Sequence, residues 1–302
     1  LAAPLASIAP GAARTRRALT LPAADWARLR ARAAGAGLTP SQALCAAFAD
    51  ALAAWSAAPD FTLNVTVFNR LPLHPEVDRL VGELASSTLL EVRDGVGDFT
   101  ARARRLRDQL LANLEHARFS GVRVLGELAR RRGLTLMPVV FTSLLGERAT
   151  ADEEAALARA LGAPVYTRTQ TPQVALDHIV YEADGALHAS WDTIDAAFPT
   201  GVVDALWGAW RRHLERLAGD AWRSPRRDLL PPAQRAVREA VNATDGPVPE
   251  GRAHDPTFEH ARRRPDDVAV VTPERALRYG ELAARAEGVA VRLPDAPDDV
   301  PV

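Results

Sequence analysis

Two apolar, strand-like runs carry polar groups at positions where packing alone would not place them. The run 136–142 ends at Thr142, and Ser143 follows directly. Asp177 lies within the second run, 174–182. Both faces of that second strand are mostly apolar, and a carboxyl in a low-dielectric setting has a raised pKa that suits acid–base work. The same Asp could equally hold a neighbouring backbone group or an arginine, and spacing leaves both interpretations open.

The other candidates for chemistry carry weaker signals. A hydroxyl at a strand end can position a substrate, but it can also close a local turn, and Thr142 and Ser143 alone favour the turn. His188 and Asp192 share one face of a strand near a turn and give a minor candidate for an acid–base pair. A cluster of arginines is expected on a solvated helix face: Arg102, Arg104, Arg105 and Arg107.

Several common kinds of site are missing from the sequence. It contains no nucleophile-elbow motif, no phosphate-binding loop and no metal-ligand spacing, so we expect no bound metal and no directly bound cofactor. The single cysteine, Cys45, excludes a disulfide framework and a cysteine-based zinc site. Cys45 falls among alanines on a predicted helix, which favours a buried apolar role.

Composition narrows the class of protein. The 302 residues include 37 basic and 38 acidic side chains, and every basic residue is arginine. This balance argues against a nucleic-acid partner, which would require a basic excess. No run approaches the ~18 apolar residues of a membrane span, and no secretory signal is visible, so we expect a cytoplasmic location and no membrane partner.

Hydrophobic periodicity predicts a mixed α/β (α+β) fold. Alternation over 61–68 indicates a strand, and the runs 136–142, 174–182 and 187–191 indicate further strands, the last two as a hairpin around Asp184 and Gly185. Further segments have helical spacing or helix-start signals. These predicted helices span 23–34, 39–55, 98–116, 120–132, 150–161 and the segment from Thr200.

Composition also indicates the domain organisation. Residues 1–18 are rich in Ala, Pro and Arg and read as a linker, and residues 19–220 form the main domain. Prolines and charges over 221–250 indicate an interdomain linker. Residues 251–302 begin a new α/β unit. It is too short to form an independent core without disulfide bonds or a bound metal.

The ordered strings of the main domain resemble heterocyclization domains, which are variants of the condensation domains of nonribosomal peptide synthetases. The strings are FTLNVTVFNRLPLHPEVDRLVGE, STLLEVR, FSGVRVLGELARR, PVVFTSLLG, TQTPQVALDHIVYE and GALHASWDTIDAAFPTG. The tail, with NATDGPVP, FEHARRRPDDVAVV and LRYGEL, resembles the start of an adenylation domain.

The resemblance implies a fold and a reaction. The family has two lobes related to chloramphenicol acetyltransferase, with the active site in a tunnel between them, and this chain corresponds to the C-terminal lobe. No match to the family's Asp-rich N-terminal motif precedes Phe61, so we expect the chain alone to be inactive. The reaction condenses a carrier-bound acyl donor with carrier-bound Cys, Ser or Thr and cyclodehydrates the product to a thiazoline or oxazoline.

The resemblance also assigns roles to residues. Asp177 matches the acid–base Asp of cyclodehydration, and Thr142 matches its orienting partner. Ser143, Gln173 and Asn69 fall in motifs where polar residues support activity, with Asn64 as a competing assignment for Asn69.

The implied partners are upstream and downstream carrier proteins, with the remaining synthetase domains. The implied cofactors are the 4′-phosphopantetheine arms of the carrier proteins, and ATP with Mg²⁺ for a complete adenylation domain. Two alternatives remain: a condensation domain that forms only amide or ester bonds, and a non-catalytic scaffold that docks carrier proteins.

Overall fold

The structure is a computed structural model in which the chain divides into two compact units, residues 1–238 and 239–302. The described residues are 11–58, 60–68, 73–82, 84–93, 95–133, 136–146, 160–162, 171, 173–219, 221–223, 229–246 and 251–293. Asn69 and most of the predicted helix 150–161 lie outside them.

A six-stranded mixed sheet forms the centre of the first unit. Its strands are β1 (Thr15–Leu21), β2 (Phe61–Phe68), β3 (Ala85–Val92), β4 (Val139–Ser143), β5 (Leu176–Ala183) and β6 (Ala186–Thr193). They are ordered β1-β6-β5-β4-β2-β3. β4 runs parallel to both β2 and β5, and the remaining pairs are antiparallel.

Helices separate the strands along the chain. They are α1 (Ala23–Gly35), α2 (Pro40–Trp55), α3 (Phe99–Glu115), α4 (Gly121–Arg132) and α5 (Val202–Leu217). A further helix, α6 (Pro232–Asn242), has no buried residue and falls inside the segment that composition assigns to a linker. The predicted helices near 23–34, 39–55, 98–116 and 120–132 are confirmed.

The helix and hairpin signals in the sequence work through local bonds. The Thr39 hydroxyl accepts from the Gln42 amide, and the Gln42 side chain accepts from the Thr39 amide, which completes a capping box at the start of α2. Asp184 and Gly185 both have positive φ, as a two-residue hairpin turn of the right twist requires. The predicted hairpin is confirmed.

One face of the sheet packs on helices and forms the core. Its large buried side chains include Trp26, Phe48, Phe141, Trp191 and Trp210. His178 lies among them, fully buried, with ring centroids 4.5 Å from Phe48 and 4.7 Å from Trp210. Burial lowers the pKa of His178 well below its usual value, so the imidazole is neutral.

Arg102 contradicts the expectation of a solvated arginine face on α3. Its guanidinium donates to the Asp50 carboxylate of α2 at 2.8 and 2.5 Å, and both side chains are almost fully buried. Arg104 and Arg107 donate to backbone carbonyls after α1, and Arg105 donates to the carbonyl of Val96. The prediction is wrong for Arg102, because its carboxylate partner lies on a helix about 50 residues earlier and compensates the burial.

β1 begins at Thr15, so residues 15–18 belong to the sheet although composition assigns them to a linker. The strand pairs with β6 over its whole length, from Thr15 opposite Thr193 to Leu21 opposite Leu187. Two successive arginines, Arg16 and Arg17, conceal the strand pattern. Each finds a carboxylate partner on or just after β6.

The start of α4 lies against β3 at very short range. A Cβ added at Gly121 would lie 2.7 Å from the Ser87 Oγ and 2.9 Å from the Ser87 carbonyl oxygen. Only glycine permits this approach without a shift of the backbone.

The second unit contains α7 (Asp255–Arg263), the antiparallel strands β7 (Val268–Val271) and β8 (Ala276–Arg278), and α8 (Tyr279–Ala290). These elements agree with the α/β unit predicted for residues 251–302. Among its described residues only Ala261 is buried, so little apolar surface is removed from water within this unit.

Candidate functional site

Asp177 lies on the sheet face opposite the core. The core face of β5 carries Leu176, His178 and Val180, which are fully buried, and strand alternation therefore turns Asp177 the other way. The side chain nevertheless has low exposure, because Asp177 lies on a central strand between Val140 of β4 and Asp192 of β6. Its carboxyl is thus shielded by the neighbouring strands rather than by the core.

A charged pair lies beside Asp177 on the same face. Asp192 is directly opposite Asp177 in the β5–β6 pair, and Arg16 is directly opposite Asp192 in the β1–β6 pair. The Arg16 guanidinium donates to both Asp192 oxygens, at 2.8 Å from Nε and 2.5 Å from Nη2. Such two-point bonds to a carboxylate are strong and fix its orientation. Sequence reasoning missed Arg16 and treated Asp192 only as a partner of His188.

Thr142 lies on the same face of the sheet as Asp177, but at a different position along the strands. Asp177 is paired with Val140, whereas Thr142 is paired with Ile179. Thr142 therefore lies two residues, about 7 Å, farther along the sheet. Its hydroxyl is 2.8 Å from the Thr66 hydroxyl of β2, which fixes the orientation of both groups.

Asn64 of β2 is a further polar residue at the same position along the sheet as Asp177. Asn64 is paired with Val140, which is paired with Asp177, so one apolar residue separates the amide from the carboxyl across about 10 Å of sheet. The Asn64 Oδ1 is buried and has no hydrogen-bond partner among the described residues. Buried acceptors are normally satisfied, so this atom is a candidate contact for a bound molecule. The competing assignment of Asn64 thus lies at the candidate site, while Asn69 is outside the described residues.

Ser143 does not join this group. It pairs with the buried Val180, on the core side of the sheet, and its Oγ is 2.8 Å from the Ser41 Oγ in the first turn of α2. The bond ties β4 to a helix. The sequence could have indicated that Ser143 and Thr142 do not share a site, because consecutive strand residues point to opposite faces of the sheet.

Gln173 lies just before β5. It is exposed and adopts a left-handed conformation with φ of 66°. Nearby, the Arg14 Nη2 donates to the carbonyls of Thr171 and Val174, at 2.8 and 3.0 Å, while its Nη1 is buried without a hydrogen-bond partner among the described residues. Arg14 thus connects the segment before β1 to the segment that carries Gln173.

His188 has partners other than Asp192. Its Nδ1 is 3.1 Å from the Thr20 hydroxyl, and its ring stacks on Tyr181 with centroids 5.0 Å apart. Asp192 is engaged by Arg16 at the far end of the strand. The structure therefore gives no support to a His188–Asp192 acid–base pair.

Comparison with known proteins places these motifs in a family. No protein-family model matches the chain. The phenyloxazoline synthase MbtB of Mycolicibacterium paratuberculosis is 45% identical over 271 residues, which cover 88% of this chain and 23% of that protein. The nonribosomal peptide synthetase FmoA3 superposes with a TM-score of 0.69 at 39% identity, over 90% of this chain and 30% of its own.

A third comparison concerns the main domain. The EpoB cyclization-docking bidomain from Sorangium cellulosum superposes with a TM-score of 0.63 at 39% identity, over 70% of this chain and 43% of its own. The chain belongs to the nonribosomal peptide synthetase heterocyclization family. The predicted α/β fold, related to chloramphenicol acetyltransferase, is that of condensation-type domains and is confirmed.

The chain spans less than a quarter of the length of the curated relative MbtB. Within its described residues, no group of His, Cys, Asp and Glu is arranged to hold a metal ion. In the same part of the chain, no helix is long and apolar enough to cross a membrane.

A separate cleft of about 650 Å³ is lined by α2, α3 and the end of β3, around the buried Asp50–Arg102 pair. None of the candidate residues of the sheet face lines it. The candidate site is therefore the face of the sheet that carries Asp177, not this cleft.

Proposed function

We propose that this chain contributes the acid–base part of a heterocyclization site in a nonribosomal peptide synthetase. The observation that supports it best is Asp177, a shielded carboxyl on the sheet face opposite the core, at the level of the unsatisfied Asn64 amide oxygen. The relatedness to a phenyloxazoline synthase and to a cyclization bidomain agrees with this role.

In this proposal the substrates arrive on the phosphopantetheine arms of two carrier proteins. The acceptor amine attacks the donor thioester, an amide forms, and the donor arm leaves as its thiol. The side-chain thiol or hydroxyl of the acceptor then adds to the amide carbonyl, which gives a ring carbon that bears a hydroxyl. ATP and Mg²⁺ belong to the activation of the acceptor by a complete adenylation domain.

Asp177 acts in the dehydration that follows. Its protonated form gives a proton to the ring hydroxyl, which leaves as water while the C–N bond gains double-bond character. The resulting carboxylate takes the proton from nitrogen, so one water is lost and the acid is restored. A single carboxyl with a suitable pKa can perform both transfers.

Four other residues support this chemistry in the proposal. Thr142, held by Thr66, orients the ring intermediate along the same face, and Asn64 binds an N–H or O–H of the substrate through its free oxygen. Gln173, in the segment before β5, is a further polar residue that supports the reaction. Ser143 acts indirectly, because its bond to Ser41 positions β4 and thereby Thr142.

The test is Asp177→Asn in the complete synthetase, supplied with loaded carrier proteins. Loss of a general acid–base group typically lowers the rate by about 10²–10⁴-fold, so we expect ring product to fall by that factor while the linear amide accumulates. Mass spectrometry separates the two products by the mass of one water. Parallel loss of linear amide and ring product would contradict the proposed role.

The matched control is Asp184→Asn, an equally conservative change at the exposed turn of the same hairpin. We expect it to leave the ratio of ring to linear product unchanged, because Asn tolerates the left-handed conformation found at Asp184. An equal effect of both substitutions would point to hairpin stability instead of acid–base chemistry.

A further inference from the structure

Two threonine hydroxyls on the candidate face of the sheet are hydrogen-bonded to each other. Thr66 of β2 and Thr142 of β4 are both half-buried, and their Oγ atoms lie 2.8 Å apart. Alternation from Asn64 on β2 and from Val140 on β4 places both side chains on the face that carries Asp177. Within the described part of the chain, neither hydroxyl has a second hydrogen-bond partner.

This hydroxyl pair has one more proton than its own bond can use. Each hydroxyl carries a single proton and also accepts through its oxygen, so the two hydroxyls bring two protons. One of these protons lies between the two oxygens. The second O–H is available to a group outside the pair, and the bond within the pair polarises it and strengthens its donation.

Thr142 is the member of the pair that can present this O–H to a substrate beside Asp177. Its strand β4 is next to β5, whereas β2 lies one strand farther away. Thr142 is displaced from Asp177 by two residues, about 7 Å along the strands. When Thr66 donates to the Thr142 oxygen, the Thr142 hydroxyl is left to donate into the space beside Asp177.

The addition step of the proposed reaction needs such a donor. The acceptor's thiol or hydroxyl attacks the amide carbonyl carbon, a C–S or C–O bond forms, and the π electron pair moves to the carbonyl oxygen. This oxygen takes up the proton that the nucleophile loses and becomes the ring hydroxyl, so no atom is gained or lost. Negative charge develops on the oxygen during the attack, and a preorganised hydrogen-bond donor there lowers the barrier.

We propose that Thr66 is a positioning residue that orients the Thr142 hydroxyl toward this oxygen during ring closure. Thr142 donates a hydrogen bond and transfers no proton, and Thr66 acts only through Thr142. This inference rests on the proposed function and adds Thr66 to it. The same oxygen is the one that Asp177 protonates in the dehydration that follows, so the two groups act on it in turn.

The test measures the single-turnover rate of ring formation in the complete synthetase with loaded carrier proteins. Thr142→Val removes the donor, and loss of one preorganised donor typically lowers a rate by about 10²–10³-fold. Thr66→Val keeps the shape of the side chain but removes the bond that orients Thr142, so we expect a smaller fall of about tenfold. Linear amide should form at the parent rate in both variants.

The double variant Thr66→Val/Thr142→Val shows whether Thr66 acts through Thr142. If it does, the double variant should form rings as slowly as Thr142→Val alone, because the two residues work as one unit. Additive losses would mean that Thr66 affects the reaction independently, which would overturn the proposal. Thr66→Ser keeps the hydroxyl and should retain most of the parent rate, whereas a loss as large as in Thr66→Val would also overturn it.

The matched control is Thr62→Val. Thr62 lies on the same face of the same strand, and its hydroxyl has no hydrogen bond to a described residue, so we expect parent rates. Equal losses in Thr62→Val and Thr66→Val would overturn the proposal in favour of strand stability. Parent-like ring formation in Thr66→Val would also overturn it, whereas the proposed function itself fails only if Asp177→Asn still forms rings.

Discussion

At the scale of single residues, the neighbours Asp177 and His178 have opposite surroundings. Alternation turns the Asp toward the candidate site and the His into the core. Both nitrogens of His178 are buried without hydrogen-bond partners among the described residues, and four aromatic rings surround the imidazole. His178 therefore acts as a neutral packing group and takes no part in proton transfer.

Protonation of His178 should make the fold sensitive to acid. The folded protein holds its pKa well below 6.5, whereas the unfolded chain binds a proton near that value. Below pH 6.5 the unfolded state thus carries more protons, and stability should fall by up to about 1.4 kcal/mol per pH unit from this group. Denaturant unfolding between pH 4 and 7 measures the slope.

The substitution His178→Phe should flatten that slope, because it fills the aromatic site without a titratable group. His116→Gln, at an exposed position after α3, serves as the control and should leave the slope unchanged. An identical pH dependence in His178→Phe and the parent would show that the acid sensitivity has another origin.

At the scale of secondary-structure elements, the close contact between α4 and β3 requires a residue without a side chain at position 121. Gly121→Ala would place a Cβ against the Ser87 backbone, which cannot yield cheaply. Overpacking of this kind costs about 1–3 kcal/mol, so we expect a corresponding fall in the free energy of unfolding. Urea titration followed by circular dichroism measures it.

Gly126→Ala, in the same helix, should change the free energy of unfolding in the opposite direction. A Cβ at Gly126 meets nothing within 4 Å, and alanine is the better helix former. We expect a gain of about 0.5–1 kcal/mol. A loss of stability at both positions would mean that the packing of α4 differs from the one described.

The elements that the sequence predicts well are those set by local bonds. The start of α2 after Thr39 and the turn at Asp184 need only a few adjacent residues, and the helix and the hairpin were both predicted. Strand register needs partners far along the chain. The alignment of Asp192 with Asp177, and of Arg16 with Asp192 across 176 residues, follows from the packed sheet and has no local signal.

At the scale of the whole molecule, the two units differ in how much they bury. The first unit contains the aromatic core, whereas Ala261 is the one buried side chain among the described residues of the second. Stability depends mainly on buried apolar surface, so we expect the second unit to unfold at lower denaturant concentration than the first.

The aromatic core makes this difference directly observable. All six tryptophans lie between Trp26 and Trp222, within the first unit. Tryptophan emission should therefore stay constant while the second unit melts, and the ellipticity of its helices should already decline. Coincident transitions in emission and ellipticity would contradict independent unfolding. The core that packs the sheet thus also serves as an intrinsic optical label for one unit alone.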